Sequence, residues 1–169
     1  AIMFEAARDA DPDAVLILND FKNMGDTTRT NRFKNIVTQL LDLGAPVSAV
    51  GFQAHIDLDP VDGYAPTEAQ IQAEINDYAS SGIDVYFTEI DISASAVAGT
   101  YAEKQQAQKD YAKMLTKLAM TNDNVKSLAF WGVSNAHSWK APDQVLPFDD
   151  SLNKLPMYYG VQEGILENQ

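Results

Sequence analysis

The sequence predicts an α/β protein built on a parallel sheet, with the outline of half a (β/α)8 barrel. Three observations carry this expectation. Four short runs rich in β-branched or apolar residues, 14–18, 47–52, 83–88 and 125–131, alternate with segments of helical periodicity. That alternation implies right-handed crossovers between parallel strands. Third, polar or aromatic groups cluster where each of these strands ends, as on the active face of an α/β barrel. Four all-parallel strands with helices on one side would leave two open edges and a bare face. A complete barrel needs about 250 residues, and this chain has 169.

The elements follow in order. Residues 1–9 read as an amphipathic helix already under way, with no visible N-cap, which suggests a chain that starts inside something larger. They lack the basic leader and continuous apolar core of a signal peptide. Asp11-Pro12-Asp13 makes a turn before the first strand. Residues 19–28 read as a polar loop. A helix over 29–43 places Phe33, Ile36, Val37, Leu40 and Leu41 on one face, and Gly44 stops it. The second strand runs into Gln53-Ala54-His55. After a loop with Pro60, Gly63 and Pro66, Thr67 and Gln70 form a capping-box pattern that opens the next helix. Gly82 ends it, and the third strand leads to Thr88-Glu89. A long helix over 101–120, a strand ending at Trp131, a loop rich in Trp, His, Pro and Asp, and a helix from about Leu155 complete the chain. It reads as one domain, 1–169, without linker or internal repeat.

Composition narrows the function. A formal charge of −12 argues against nucleic acid and anionic membrane as partners, both of which attract basic patches. The same acidity suits a protein acting on a neutral polymer. With no cysteine there is no thiolate catalysis, disulfide or Cys-built metal centre, and the two histidines lack ligand spacing. No cofactor or metal is expected. No apolar run reaches the length of a membrane span, and no Gly-rich βα turn offers a phosphate cradle.

The chemistry concentrates at strand ends. Glu89 and Asp91 fall on one side of their strand by the period-two rule, and so do Gln53 and His55. Asn19-Asp20-Phe21 follows the first strand and Trp131 closes the fourth. Trp139 lies in the last loop, where an indole can wall a sugar ring. Asp20 and His137 are read as structural.

Asn19-Asp20-Phe21, Gly51-Phe52-Gln53-Ala54-His55, Thr88-Glu89-Ile90-Asp91 and Trp131-Gly132-Val133-Ser134 through Ser138-Trp139 recur in order and spacing like the second half of glycoside hydrolase family 10. Ala6-Ala7-Arg8-Asp9-Ala10-Asp11-Pro12, Phe148-Asp149 and Pro156-Met157-Tyr158-Tyr159 also resemble family segments, so the likeness covers essentially the whole chain. The resemblance implies strands 5–8 of a (β/α)8 barrel and a retaining endo-β-1,4-xylanase acting on xylan or xylo-oligosaccharides, secreted or displayed at the cell surface. It makes Glu89 the nucleophile, with His55 keeping it ionised and Asp91 orienting the imidazole. Gln53 would bond the proximal glycone sugar, Trp131 and Trp139 would wall that subsite, Phe21 would stack on the aglycone sugar, and Asn19 would support the loop.

The chain departs from the family pattern in places. Phe21 stands for the usual Tyr, Lys22 for Asn, Asn135 for a frequent Asp, and Lys154-Leu155-Pro156 for Lys-Pro-Ala. More important, the Trp-Asp-Val-Val-Asn-Glu-like segment that carries the general acid is absent. The resemblance therefore implies that an N-terminal half, on another chain or piece, completes the barrel, and that this chain alone is inactive. A non-catalytic, degenerate barrel that holds xylan or a partner protein is the alternative. Intact Glu89, His55 and Asp91 weigh against it.

Overall fold

The computed structural model describes residues 1–25, 27–141 and 143–168, with Thr27 described by its backbone alone. The elements are α1 (Ile2–Ala10), β1 (Ile17–Asp20), α2 (Thr27–Asp42), β2 (Ala49–Phe52), β3 (His55–Asp57), α3 (Glu68–Ser80), β4 (Asp84–Ser93), α4 (Tyr101–Thr121), β5 (Val125–Phe130) and α5 (Pro156–Leu166). A single 3₁₀ turn, Asn135–His137, interrupts the loop before α5.

Every pairing between these strands is parallel, as the alternation requires. β1 pairs with β2, β2 with β4, and β4 with β5. β3 pairs with the far end of β4, His55 opposite Asp91 and Asp57 opposite Ser93. The main chain bridges the break between β2 and β3: Glu89 N donates to Gln53 O at 3.1 Å and Asp91 N to Ala54 O. The kink is at Ala54, whose φ of +60° is rarely adopted by a residue with a Cβ.

Helices start where capping chemistry is written. Thr67 and Gln70 make the expected reciprocal capping box at α3, and Thr100 and Glu103 make a second at α4. The core forms where the helices meet the sheet. Phe52 and Phe87 meet edge to face at 5.6 Å between centroids, Tyr78 of α3 packs on Phe52, and Ile56, Ile71, Ile75, Leu115 and Met157 fill the layer around them. α5 lies close on α4 because Gly160 has no Cβ; one there would stand 2.3 Å from the Lys109 carbonyl oxygen.

Several boundaries differ from the sequence reading. β1 begins at Ile17 rather than Ala14, and α2 begins at Thr27, inside the stretch read as loop. The third strand does not end at Glu89: β4 continues to Ser93, because β3 supplies hydrogen-bond partners for 91–93 beyond the kink. Sequence periodicity gives no warning of a turn made by an alanine at positive φ.

β4 also carries a bulge at the position that matters most. The three steps from Phe87 to Ile90 face only two on β5, Leu128 to Phe130. Before the bulge the buried apolar positions are Val85 and Phe87; after it they are Ile90 and Ile92, with Asp91 and Ser93 buried as well. The extra residue turns the strand over locally. Glu89, which strict alternation would leave on the buried face with Phe87, instead points to the open face with Thr88.

Candidate active site

The open face gathers side chains from the ends of three strands and one loop. Glu89 Oε1 accepts from the Asn19 amide at 3.0 Å, and its other oxygen lies 3.4 Å from His55 Nε2. His55 Nδ1 sits 2.7 Å from Asp91 Oδ2. Both ring nitrogens thus face carboxylate oxygens, and only a doubly protonated ring can donate to both. Glu89 and Asp91 do share a side, as the sequence suggested, although the bulge rather than simple alternation sets Glu89 there. The Glu89 side chain keeps 16% of its surface and His55 keeps 19%, so both are reachable from solvent while held in place.

Asp91 has no exposed surface. Burial pushes its carboxyl up, but hydrogen bonds from His55, from the Trp139 indole at 2.8 Å and from Lys140 at 2.9 Å, with the Lys140 charge, outweigh that and hold it below the usual carboxylate range. The sign of the linkage follows. A carboxyl depressed by folding adds stability above its unfolded value of about 3.9, and that stability is lost as pH falls through the folded value. Urea midpoints measured from pH 7 down to 2.5 should therefore drop more steeply for this chain than for Asp91→Asn. Parallel curves would show that the Asp91 cluster adds no acid-sensitive stability.

Asn19 contacts Glu89 and Thr88. It lies in β1, its Oδ1 accepts from the Thr88 hydroxyl at 2.8 Å, and this orients its NH2 toward Glu89. Gly51 makes room for it: a Cβ at Gly51 would stand 2.3 Å from Asn19 Oδ1. Gly51→Ala should displace Asn19 from Glu89 and cost about 1–3 kcal/mol, the usual penalty for overpacking. Urea unfolding of the variant checks this, and a cost below ~0.5 kcal/mol would mean that Asn19 moves freely.

The remaining expected site residues sit around this cluster. Trp139 is 61% exposed, its ring edge toward His55 at 5.2 Å, so the indole is tied to Asp91 while a face stays open. Trp131 is half exposed just past β5, anchored by its N–H to Ile90 O. Gln53 is tied through its main chain to both Asp20 and Glu89. Phe21 lies beyond β1, its ring covered by the Arg29 guanidinium at 3.8 Å. Thr88 and Gly51 stand in the motifs without a role of their own, and Lys140 stands outside them. Lys140 directly follows Ser138-Trp139, but only the fold shows that it reaches Asp91.

A model of the family described as Glycosyl hydrolase family 10 matches residues 1–164. The chain belongs to glycosyl hydrolase family 10. The crystal structure of native xylanase 10B from Thermotoga maritima superposes with a TM-score of 0.87 at 28% identity, over 97% of this chain and 50% of that one. Xylanase 10B from Thermotoga petrophila RKU-1, solved in complex with xylobiose, gives 0.84 at 27% identity over the same shares. Endo-1,4-beta-xylanase B of Thermotoga neapolitana is 28% identical over 164 residues, 93% of this chain and 45% of that enzyme. This family 10 chain spans from 13% to 51% of the length of the curated relatives it matches. Among its described residues, no His, Asp and Glu side chains gather in a group that could hold a metal ion, and no helix is long and apolar enough to cross a membrane.

Proposed function

We propose that this chain forms strands 5–8 of a (β/α)8 barrel and supplies the nucleophile of a retaining endo-1,4-β-xylanase. One observation carries the reading: Glu89 is fixed on the open face by the Asn19 amide and His55, with Asp91 locking the imidazole from behind. A carboxylate so held is presented to an anomeric carbon with its charge balanced by donors rather than by bulk water. It attacks to form a glycosyl-enzyme ester, which water later hydrolyses with retention. Trp131 and Trp139 wall the glycone subsite, Gln53 bonds the sugar there, and Phe21 stacks on the aglycone ring.

Retention needs a second carboxyl about 5–5.5 Å from the first. Asp91 cannot serve, because it is buried and occupied by three donors. On this reading the strands that complete the barrel supply the general acid, and the completed enzyme is secreted or displayed at the cell surface. The unpaired outer edges of β1 and β5 are where those strands would add.

The test is an assay on xylan of this chain alone, and of the chain joined to strands 1–4 of a family 10 barrel. Turnover only in the joined form, lost again in Glu89→Gln, is the expected result. Xylan binding without turnover in the joined form would favour a non-catalytic binder. Turnover by the isolated chain would show that the acid lies within it. Comparing rates on xylan and carboxymethylcellulose separates a xylanase from a glucanase.

A further inference from the structure

Asp91 is the one wholly buried carboxylate in the cluster, and its two oxygens are used unequally. Oδ2 accepts from both His55 Nδ1 and Trp139 Nε1, whereas among the described residues Oδ1 is bonded only to Lys140 Nζ, at 2.9 Å. Lys140 is itself held there: its side chain is four-fifths covered, and its ammonium lies 5.2 Å from the centre of the Trp139 ring. Glu89, Asp91 and Lys140 are thus the charged groups around His55, two on β4 and one on the loop after the 3₁₀ turn, with Trp139 edge-on.

We propose that Lys140 is a positioning residue for Glu89, acting through two intermediaries. Its ammonium fixes the plane and the charge of the Asp91 carboxylate; Asp91 fixes the imidazole of His55; His55 meets Glu89. Without Lys140, one oxygen of a buried carboxylate loses its partner, which is costly unless the group rotates or takes up a proton. Either response loosens His55 against Glu89. The loss would reach a reacting atom although Lys140 touches no substrate. This inference rests on Glu89 being the reacting group only for its catalytic consequence, not for the Asp91 chemistry.

The experiment follows the Asp91 side-chain carbonyl by carbon-13 NMR against pH in the full chain, in Lys140→Met and in Lys140→Arg. The Asp91 midpoint should rise in Lys140→Met and return toward the parent value in Lys140→Arg. Equal midpoints in all three would overturn the proposal. If Lys140→Met does not fold, Lys140→Gln, which keeps a donor without the charge, gives the same comparison. In the completed barrel, kcat of Lys140→Met should fall roughly 10–100-fold, the range that loss of an orienting partner produces at other centres, with KM nearly unchanged. A KM change alone would assign Lys140 to substrate contact instead. If Glu89 proves not to be the nucleophile, the NMR shifts still stand; if it is and Lys140→Met leaves both readouts unmoved, this inference alone fails.

Discussion

Glu89→Ala in the completed barrel should lose xylan turnover by about 10⁴–10⁶-fold, the scale seen when a member of a catalytic set is removed. The cause is chemical: Asp91, the other carboxylate of the cluster, is buried behind His55 and cannot take over the attack. The cavity left by the carboxylate is the right place for a small anion. Azide should therefore restore part of the rate on an aryl β-xyloside with a good leaving group, giving an α-linked glycosyl azide by a single displacement. The α configuration is the informative part, since azide would then be attacking from the face Glu89 occupied, opposite the leaving group. Failure of rescue, with the variant folded, would place the nucleophile elsewhere. Asp91→Ala should behave differently, losing rate without azide rescue, because it removes a support rather than the attacking atom.

Phe87→Ala should destabilise the chain by about 3–5 kcal/mol, the cost of emptying a large, wholly buried aromatic site. Phe87 meets Phe52 edge to face, and Tyr78 packs on Phe52, so its removal leaves a void between sheet and helices. Against a typical total of about 5–15 kcal/mol, one such substitution consumes a large share of the stability. Phe87 also sits immediately before the bulge that turns Glu89 outward, so loosening it should blur the site as well. Urea unfolding gives the number: a midpoint shift worth less than about 1 kcal/mol would mean that the aromatic cluster does not anchor β4.

The parallel order and the helix starts were legible because each has a local signature. Capping boxes at Thr67 and Thr100 rest on side chains three residues apart. The alternation of apolar runs sufficed for the parallel sheet. Strand periodicity gave the pairing of Glu89 with Asp91, and the resemblance to the family implied that His55 joins them. What was not legible is geometry created by exceptions to periodicity. The positive φ of Ala54 lets β3 resume pairing, and this carries β4 past Glu89 to Ser93. The bulge moves the buried apolar positions of β4 from Val85 and Phe87 to Ile90 and Ile92, so alternation gave a shared side for Glu89 and Asp91 but not which side it is. Asn19 and Lys140 are contacts across 70 and 49 positions of sequence, and no local pattern encodes a partner at that range. Gly51 was quoted within a motif, yet its purpose shows only when a Cβ is placed against Asn19.

The most direct test traps the covalent intermediate. A 2-deoxy-2-fluoro xylobioside with a good leaving group slows the second step more than the first, so the sugar stays on the attacking residue of the completed barrel. Digestion and mass spectrometry then identify the peptide and the residue that carry it. A single fluoroxylobiosyl adduct on Glu89, absent in Glu89→Gln, is the expected result. An adduct on any other carboxylate, or turnover of the reagent with no adduct and inverted product, would contradict the assignment.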